Sequence, residues 1–516
     1  MTNKYQESTG KPAIFIFFIL LYNSLALAHD GHEAQDKIIP NLGDLGKVEF
    51  AISCGNEQQK IMNTGVGLLH HMMYAQAEKH FSISIKNSPK CAMFYWGYSM
   101  SLFHPLWPDK ITDDALAQGE LAIMKAQSLS QDKREKSYIN AAFTYFNQWQ
   151  TTPEKQRIKS WAIAQESVFT SYPQDIDAIA FYGLTQLVIA SKTDTTFSQQ
   201  KKVGEMLSKI LSSSPTHPGA IHYTIHAYDN PALAEQAIAA ARAYDKIAPD
   251  VPHALHMPSH IFVRLGLWED AAKWNIRSAN AALKYPAKEA TSLHYVHALD
   301  YLVYSYLQSG NNDKAQQSYD EISRHHPIQA VFPVAYALTT IPARIVLENH
   351  QWKKASQLKV RAPDYIQWDN FPQVEAITYF ARGLGAARSR NVKSAKESLA
   401  MLEKLHQKTM QTSPNYWAKL VEAQQLAVSA WISFSEGNQQ QALKLMSTAA
   451  DLEDSIDKNP VTPGAVVPSR ELQGDMLMMM GKYAQAYNAY QACLKINPNR
   501  LNSVLGSKAA KLKSSV

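Results

Sequence analysis

Two pairs of histidines in this chain share a spacing. His222 and His226 lie four residues apart in HYTIH, and adding 34 to each number gives His256 and His260 in HALHMPSH. His253 stands three residues before His256, and His297 and Asp300 repeat that spacing of three further along. Residues three, four and seven apart share one face of an α-helix, with neighbouring Cβ atoms about 5–6 Å apart. Helices stacked at about 8–10 Å then bring imidazoles of successive helices within reach of one centre. Six imidazoles and one carboxylate suit a first-row transition metal, with Zn, Cu, Fe and Ni all compatible. The chain has 18 His but only three Cys, so any metal chemistry here is imidazole chemistry. The rival reading is that these histidines pack, cap helices and hydrogen-bond among the many tyrosines.

The element that must hold such a stripe follows from a 34-residue period. Tyr74, Ala77 and Pro89 fall at matching places with Gly266, Trp268 and Ala271, with Gly310 and Ala315, and with Gly474, Gly481, Tyr483, Ala486 and Pro498. Weaker units fit around Phe181 to Pro215, Trp352 to Ala355, Gly383 to Leu402 and Trp431 to Leu452. Small residues where two helices cross, Gly in the turn and Pro at the end describe the helical hairpin of the tetratricopeptide repeat, TPR. One hairpin cannot bury its own apolar face and must stack on neighbours, so the sequence predicts an all-α, TPR-like solenoid.

In that frame His222 and His256 take position 5, His226 and His260 position 9, His253 and His297 position 2, and Asp300 position 5. His70 and His104, again 34 apart, both take position 13, and Glu471 and Asp475 take positions 5 and 9. These positions of a TPR first helix face the inner groove. The groove set is therefore His70, His104, Asp229, Glu471 and Asp475, beside a metal set of His222, His226, His253, His256, His260, His297 and Asp300. Pro258 falls inside the expected helix of the second His pair. Either the helix breaks there or it begins there, with Pro258 as its first residue. His104 precedes Pro105, so helix capping competes with a groove role, and pairing with Arg470 competes for Glu471 and Asp475.

The chain begins with Lys4 and Lys11 ahead of an apolar run, Pro12 to Tyr22, that ends in Ala26-Leu27-Ala28. That reads as a cleaved secretory signal over 1–28, which implies a periplasmic or secreted protein. No later segment is long and apolar enough to span a membrane. Residues 29–48 read as a mobile approach segment, 49–215 as N-terminal hairpins, 216–325 as the His-rich hairpins, 326–500 as C-terminal hairpins and 501–516 as a tail. Lys458 to Ser469, KNPVTPGAVVPS, reads as an extended connection. Export permits a disulfide, and Cys54 and Cys91, 37 apart, each lie just ahead of the first helix of consecutive hairpins. Cys493 takes a position that is normally small and buried. His29-Asp30-Gly31-His32 behind the cleavage site is a second, weaker metal-capture element. Met478 to Met480 reads as core. A net charge of +6 over 516 residues, with no block of five like charges, gives no reason to expect nucleic acid.

The segments CAMFYWGYSMSLFHPLW (91–107), HPGAIHYTIHAYDNP (217–231), APDVPHALHMPSHIFVRLGLW (248–268), FARGLGAAR (380–388) and NPVTPGAVVPSRELQGDML (459–477) resemble those of a family of exported bacterial TPR proteins. The resemblance covers nearly the whole mature chain, and HALHMPSHIF is specific to that family. It implies the solenoid and carries no activity with it. The family's string near His70 often has a single His followed by Ser where this chain has His70-His71, which puts a role for His71 in doubt.

The chain has no G-x-x-x-x-G-K-[ST], no G-x-S-x-G, no H-E-x-x-H and no paired C-x-x-C. Those absences remove the support for phosphate-loop, serine-hydrolase, zincin and thiolate-zinc chemistry. Three readings remain: a His-lined groove binding a transition metal or small polar ligand, a scaffold for a peptide or protein partner, and a metal-dependent hydrolase with Asp300 or Asp229 as base.

Overall fold

A computed structural model describes residues 43–107, 111–191, 194–287, 290–413 and 415–514. The proposed signal sequence and His29 to His32 lie outside the described residues. Within them the chain is an all-helical, TPR-like solenoid, and no strand longer than two isolated bridges occurs.

Helices pair in chain order. Asn56–His70 packs on Tyr74–Asn87, Ala92–Leu102 on Asp113–Leu129, and Lys133–Phe146 on Glu154–Ser171; the same alternation continues to Ser469–Met479 on Tyr483–Ile496. A last helix, Leu501–Ser514, closes the stack. The crossings need small residues because aromatic rings lie against the opposing backbone. A Cβ on Gly97 would stand 2.3 Å from Phe81, and one on Gly474 2.6 Å from Tyr490. Ala77, Ala271, Ala315 and Ala486, the small residues of the repeat frame, are fully buried. Gly266 and Gly481 turn the chain between the two helices of their hairpins with φ of +65° and +73°, the left-handed region that glycine enters without strain.

The period itself differs from the expected 34. First helices begin at Asn56, Ala92, Lys133, Ile176, Pro218, Pro252, Leu293, Phe332, Pro372, Tyr416 and Ser469. Among these, only the step from Pro218 to Pro252 is 34. Second helices and loops vary in length, so a strict period misplaces residues elsewhere.

Both helices at that step start on a proline, which fits the first turn because its missing N–H would have no partner there. The second is in two pieces, Pro252–His256 and Pro258–Arg264, with Met257 between them still at helical angles. Pro258 thus restarts the helix, and His253 and His256 sit on a helix rather than on a loop.

Three tail-like segments are docked. Of the approach segment, Leu45 and Val48 are buried, and Lys47 N–H donates to the Thr216 carbonyl at 3.0 Å. The final helix is held by Leu501 N–H to Gln308 and by Asn502 to Glu348, both 3.0 Å. The connection before Ser469 lies along the inner helices: Tyr301 donates to the carbonyls of Pro460 and Thr462 at 2.9 and 3.1 Å, and Arg344 reaches Gly464 O at 2.8 Å. Val461, Thr462, Val466 and Val467 are buried by it. The apolar core is continuous from Leu45 to Tyr304 and again from Ala272 to Met476. The two meet on helix Leu293–Gln308, beside the histidines. Cys54 and Cys91 form a disulfide, and Cys493 is a buried free thiol.

Candidate metal centre

The three helices that begin at Pro218, Pro252 and Leu293 lie side by side, and their histidines fall on matching turns. Counted from each helix start, residue 5 is His222, His256 and His297, and residue 9 is His226, His260 and Tyr301. Residue 2 is Gly219, His253 and His294. The stripe is therefore in register across three helices, but on the third it is shifted from the expected frame. His297 occupies the place assigned to Asp300, and His294, unassigned by the sequence reading, is the counterpart of His253. The signal was present as His-x-x-His at 253–256 and again at 294–297; anchoring the third unit on Gly310 and Ala315 hid it.

The imidazoles gather into two adjacent groups. One nitrogen from each of His222, His226 and His253 lies within 4.8 Å of the other two, and the same holds for His256, His260 and His297. Inside the groups, ring centroids are 4.4–5.0 Å apart for His222 with His226 and His253, and for His256 with His260 and His297. Between them, His253 to His256 is 6.3 Å and His226 to His260 is 6.4 Å. His294, 5.5 Å from His253, and Trp107, 5.6 Å from it, wall the first group.

Hydrogen bonds fix the inward nitrogen of three rings, His222, His256 and His260. His222 Nδ1 donates to the His70 carbonyl at 2.6 Å, which leaves a buried Nε2 with no hydrogen-bond partner. His226 Nε2 and both nitrogens of His253 are likewise buried without one. His260 Nδ1 donates to Asp229 Oδ2 at 2.9 Å. His256 Nδ1 faces Asn275 Oδ1 at 2.8 Å, and Asn275 spends its amide N–H on the Ala271 carbonyl at 2.7 Å, so the ring must be the donor. Imidazoles that ligate metals typically donate their other N–H to a carboxylate or carbonyl in this way.

Burial, and then the neighbouring imidazoles, hold His222, His253 and His256 well below the usual 6.5. Burial takes His226 and His297 to about 3. The six rings are neutral near pH 7, the form in which imidazole binds metal. Burial alone would raise the Asp229 carboxyl, but Lys458, Arg264 and His260 hold it well below the usual range. Arg264 Nε donates to Asp229 Oδ1 at 2.9 Å and Lys458 Nζ lies 3.2 Å from it. Asp229 is thus a tethered second partner of His260 and not a free base.

The remaining expected groove residues are placed elsewhere. Asp300 belongs to neither imidazole group, and its Oδ1 is taken by Arg344 and Thr340. His70 lies in a saturated buried network, with Nε2 at 2.8 Å from Asp177 and Nδ1 at 3.0 Å from Tyr223 OH; its carbonyl supports His222. His217 joins Asp177 at 3.2 Å, so that third His–carboxylate group is already satisfied by its own hydrogen bonds. His71 is held by Tyr244 OH and the Leu45 carbonyl. His104 lies past the end of its helix, bonds Ser101 O at 3.1 Å and stacks on Tyr74. Glu471 is buried against Arg500 rather than Arg470, and Asp475 pairs with Tyr490 OH at 2.7 Å and Arg388 at 3.5 Å.

No family model matches the chain, and no curated protein does. Solved structures of similar helical build include the yeast Tom70 structure, at 10% identity and a TM-score of 0.34 over 89% of this chain and 96% of that one. The APC/C hetero-tetramer Cut9-Hcn1 shows 10% identity and a TM-score of 0.30 over 88% and 96%. The P58(IPK) TPR domain shows 10% and 0.21 over 89% and 99%. Likenesses of this size say nothing about what the histidines do.

Proposed function

We propose that this chain is an exported solenoid protein that holds transition metal in an all-imidazole centre formed by His222, His226, His253, His256, His260 and His297. The observation that carries the reading is the set of buried, unpartnered nitrogens on His222, His226 and His253. A buried polar atom without a partner costs on the order of 1–3 kcal/mol, and three converging ones are an arrangement a metal ion relieves. His256 and His260 add a second pair of inward nitrogens, fixed by Asn275 and Asp229. The Cys54–Cys91 disulfide supports export to an oxidising compartment. A peptide in the groove is the less favoured reading, because the chain's own segment 458–468 already covers the inner helices beside the site.

The test is elemental analysis of protein purified without an affinity tag and after chelator stripping and reloading. Bound Zn, Cu, Fe or Ni at one or two ions per chain, with a rise in melting temperature on loading, is the expected result. No stoichiometric metal from any of the four would refute the reading.

A further inference from the structure

Resting on that reading, we propose that the two imidazole triads form one dinuclear copper centre that takes dioxygen as its substrate. The triads are adjacent: rings of one stand 6.3 and 6.4 Å from rings of the other, against 4.4–5.0 Å inside each triad. Each offers three neutral nitrogens, a donor set that completes a three-coordinate cuprous ion and leaves a side open.

Charge selects the ion. The six ligands are neutral, and the charged groups around them already cancel. Asp229 is shared by Arg264 and Lys458, and Arg264 also pairs with Asp457. Two divalent ions would bring four uncompensated positive charges into a buried site, which is strongly unfavourable. Two cuprous ions bring half as many. When dioxygen arrives, each cuprous ion gives up one electron, both become cupric, and dioxygen is reduced by two electrons to a doubly negative ligand between them. The net charge of the site is the same before and after, and no proton is required. Among the six ligands His226 alone is partly exposed, and the other five are buried.

The test uses the full chain, stripped of metal and titrated with cuprous ion under anaerobic conditions. Two ions per chain are expected, followed by uptake of one dioxygen per two ions and a product silent in electron paramagnetic resonance despite being cupric. One ion per chain, or two cupric ions with separate paramagnetic signals, overturns the dinuclear proposal and leaves metal binding standing. Binding of zinc with no binding of cuprous ion has the same consequence, whereas failure to bind any metal overturns the underlying reading as well. His297→Ala and, at the more exposed edge, His226→Gln are expected to reduce the stoichiometry to one ion and abolish dioxygen uptake while circular dichroism stays helical. Retention of two ions and full uptake by both folded variants would also overturn it.

Discussion

His256 and His260 face each other Nε2 to Nε2 at 3.1 Å, and each already donates through Nδ1, to Asn275 and to Asp229. With both rings neutral, two lone pairs confront one another and neither nitrogen can donate. At zinc–imidazole bond lengths of about 2.0–2.1 Å, two nitrogens sharing a tetrahedral ion stand roughly 3.3 Å apart. The pair is already close to that separation.

Asn275 should therefore matter to metal without touching it. Asn275→Leu removes the acceptor that fixes the His256 tautomer and is expected to weaken metal affinity by about 10–100-fold. The check is competitive titration against a chelator. His222→Ala with His256→Ala should abolish binding, and His325→Ala with His326→Ala, away from the centre, should leave affinity unchanged.

Acid should destabilise the metal-free protein well above the carboxylate range. Burial holds His71 down to about 3 and His104 to about 4. Below about 6.5 the unfolded chain binds protons that the folded chain refuses. Stability is thus full above 6.5 and is lost progressively as pH falls toward 3–4. Melting temperatures of apo protein across pH 7.5 to 4 should fall on that limb, and His71→Gln should flatten it. A flat profile for the wild type would contradict the buried neutral imidazoles.

The Arg500 guanidinium is fully buried between Glu471 at 2.9 Å and Glu348 at 2.7 Å, and it joins the last helix to two earlier hairpins. Arg500→Met leaves two carboxylates buried without a cation. The expected loss is about 3–5 kcal/mol in chemical denaturation, with early exposure of the C-terminal helix to proteolysis.

Two turn glycines separate conformation from contact. Gly481 has open space around its missing Cβ, so Gly481→Ala should lose only the left-handed preference, about 1–2 kcal/mol. At Gly266 the same Cβ would stand 2.3 Å from the Pro498 carbonyl, where the C-terminal hairpin docks through Trp268 Nε1 to Asn499 O at 2.9 Å. Gly266→Ala should cost clearly more than Gly481→Ala by thermal denaturation. Equal costs would mean that the docking gives way without penalty.

Reducing the Cys54–Cys91 bridge, or replacing both residues by Ser, should lower stability by about 3–4 kcal/mol in the chain-entropy view of a loop with a sequence separation of 37. The reduced and oxidised proteins can be compared in urea.

The sequence by itself determined the fold and the stripe. Small residues at the crossings, glycines in the turns and prolines at the helix ends are local signals, and they specify stacked hairpins because each hairpin must hide one face on the next. His222, His226, His256 and His260 were legible because Pro218 and Pro252 are 34 residues apart. Where hairpins differ in length the periodic count slips, which is why His294 went unseen and Asp300 stood in for His297. Which polar groups are spent on one another was decided only by tertiary structure. Asp300 goes to Arg344, Glu471 to Arg500 and His70 to Asp177, partners 44, 29 and 107 residues away. Burial requires each such group to find a partner, and no local pattern states which distant residue will supply it. The same long-range pairing, through His70 O, Asn275 and Asp229, fixes the tautomers of three of the rings, which spacing in the sequence does not specify.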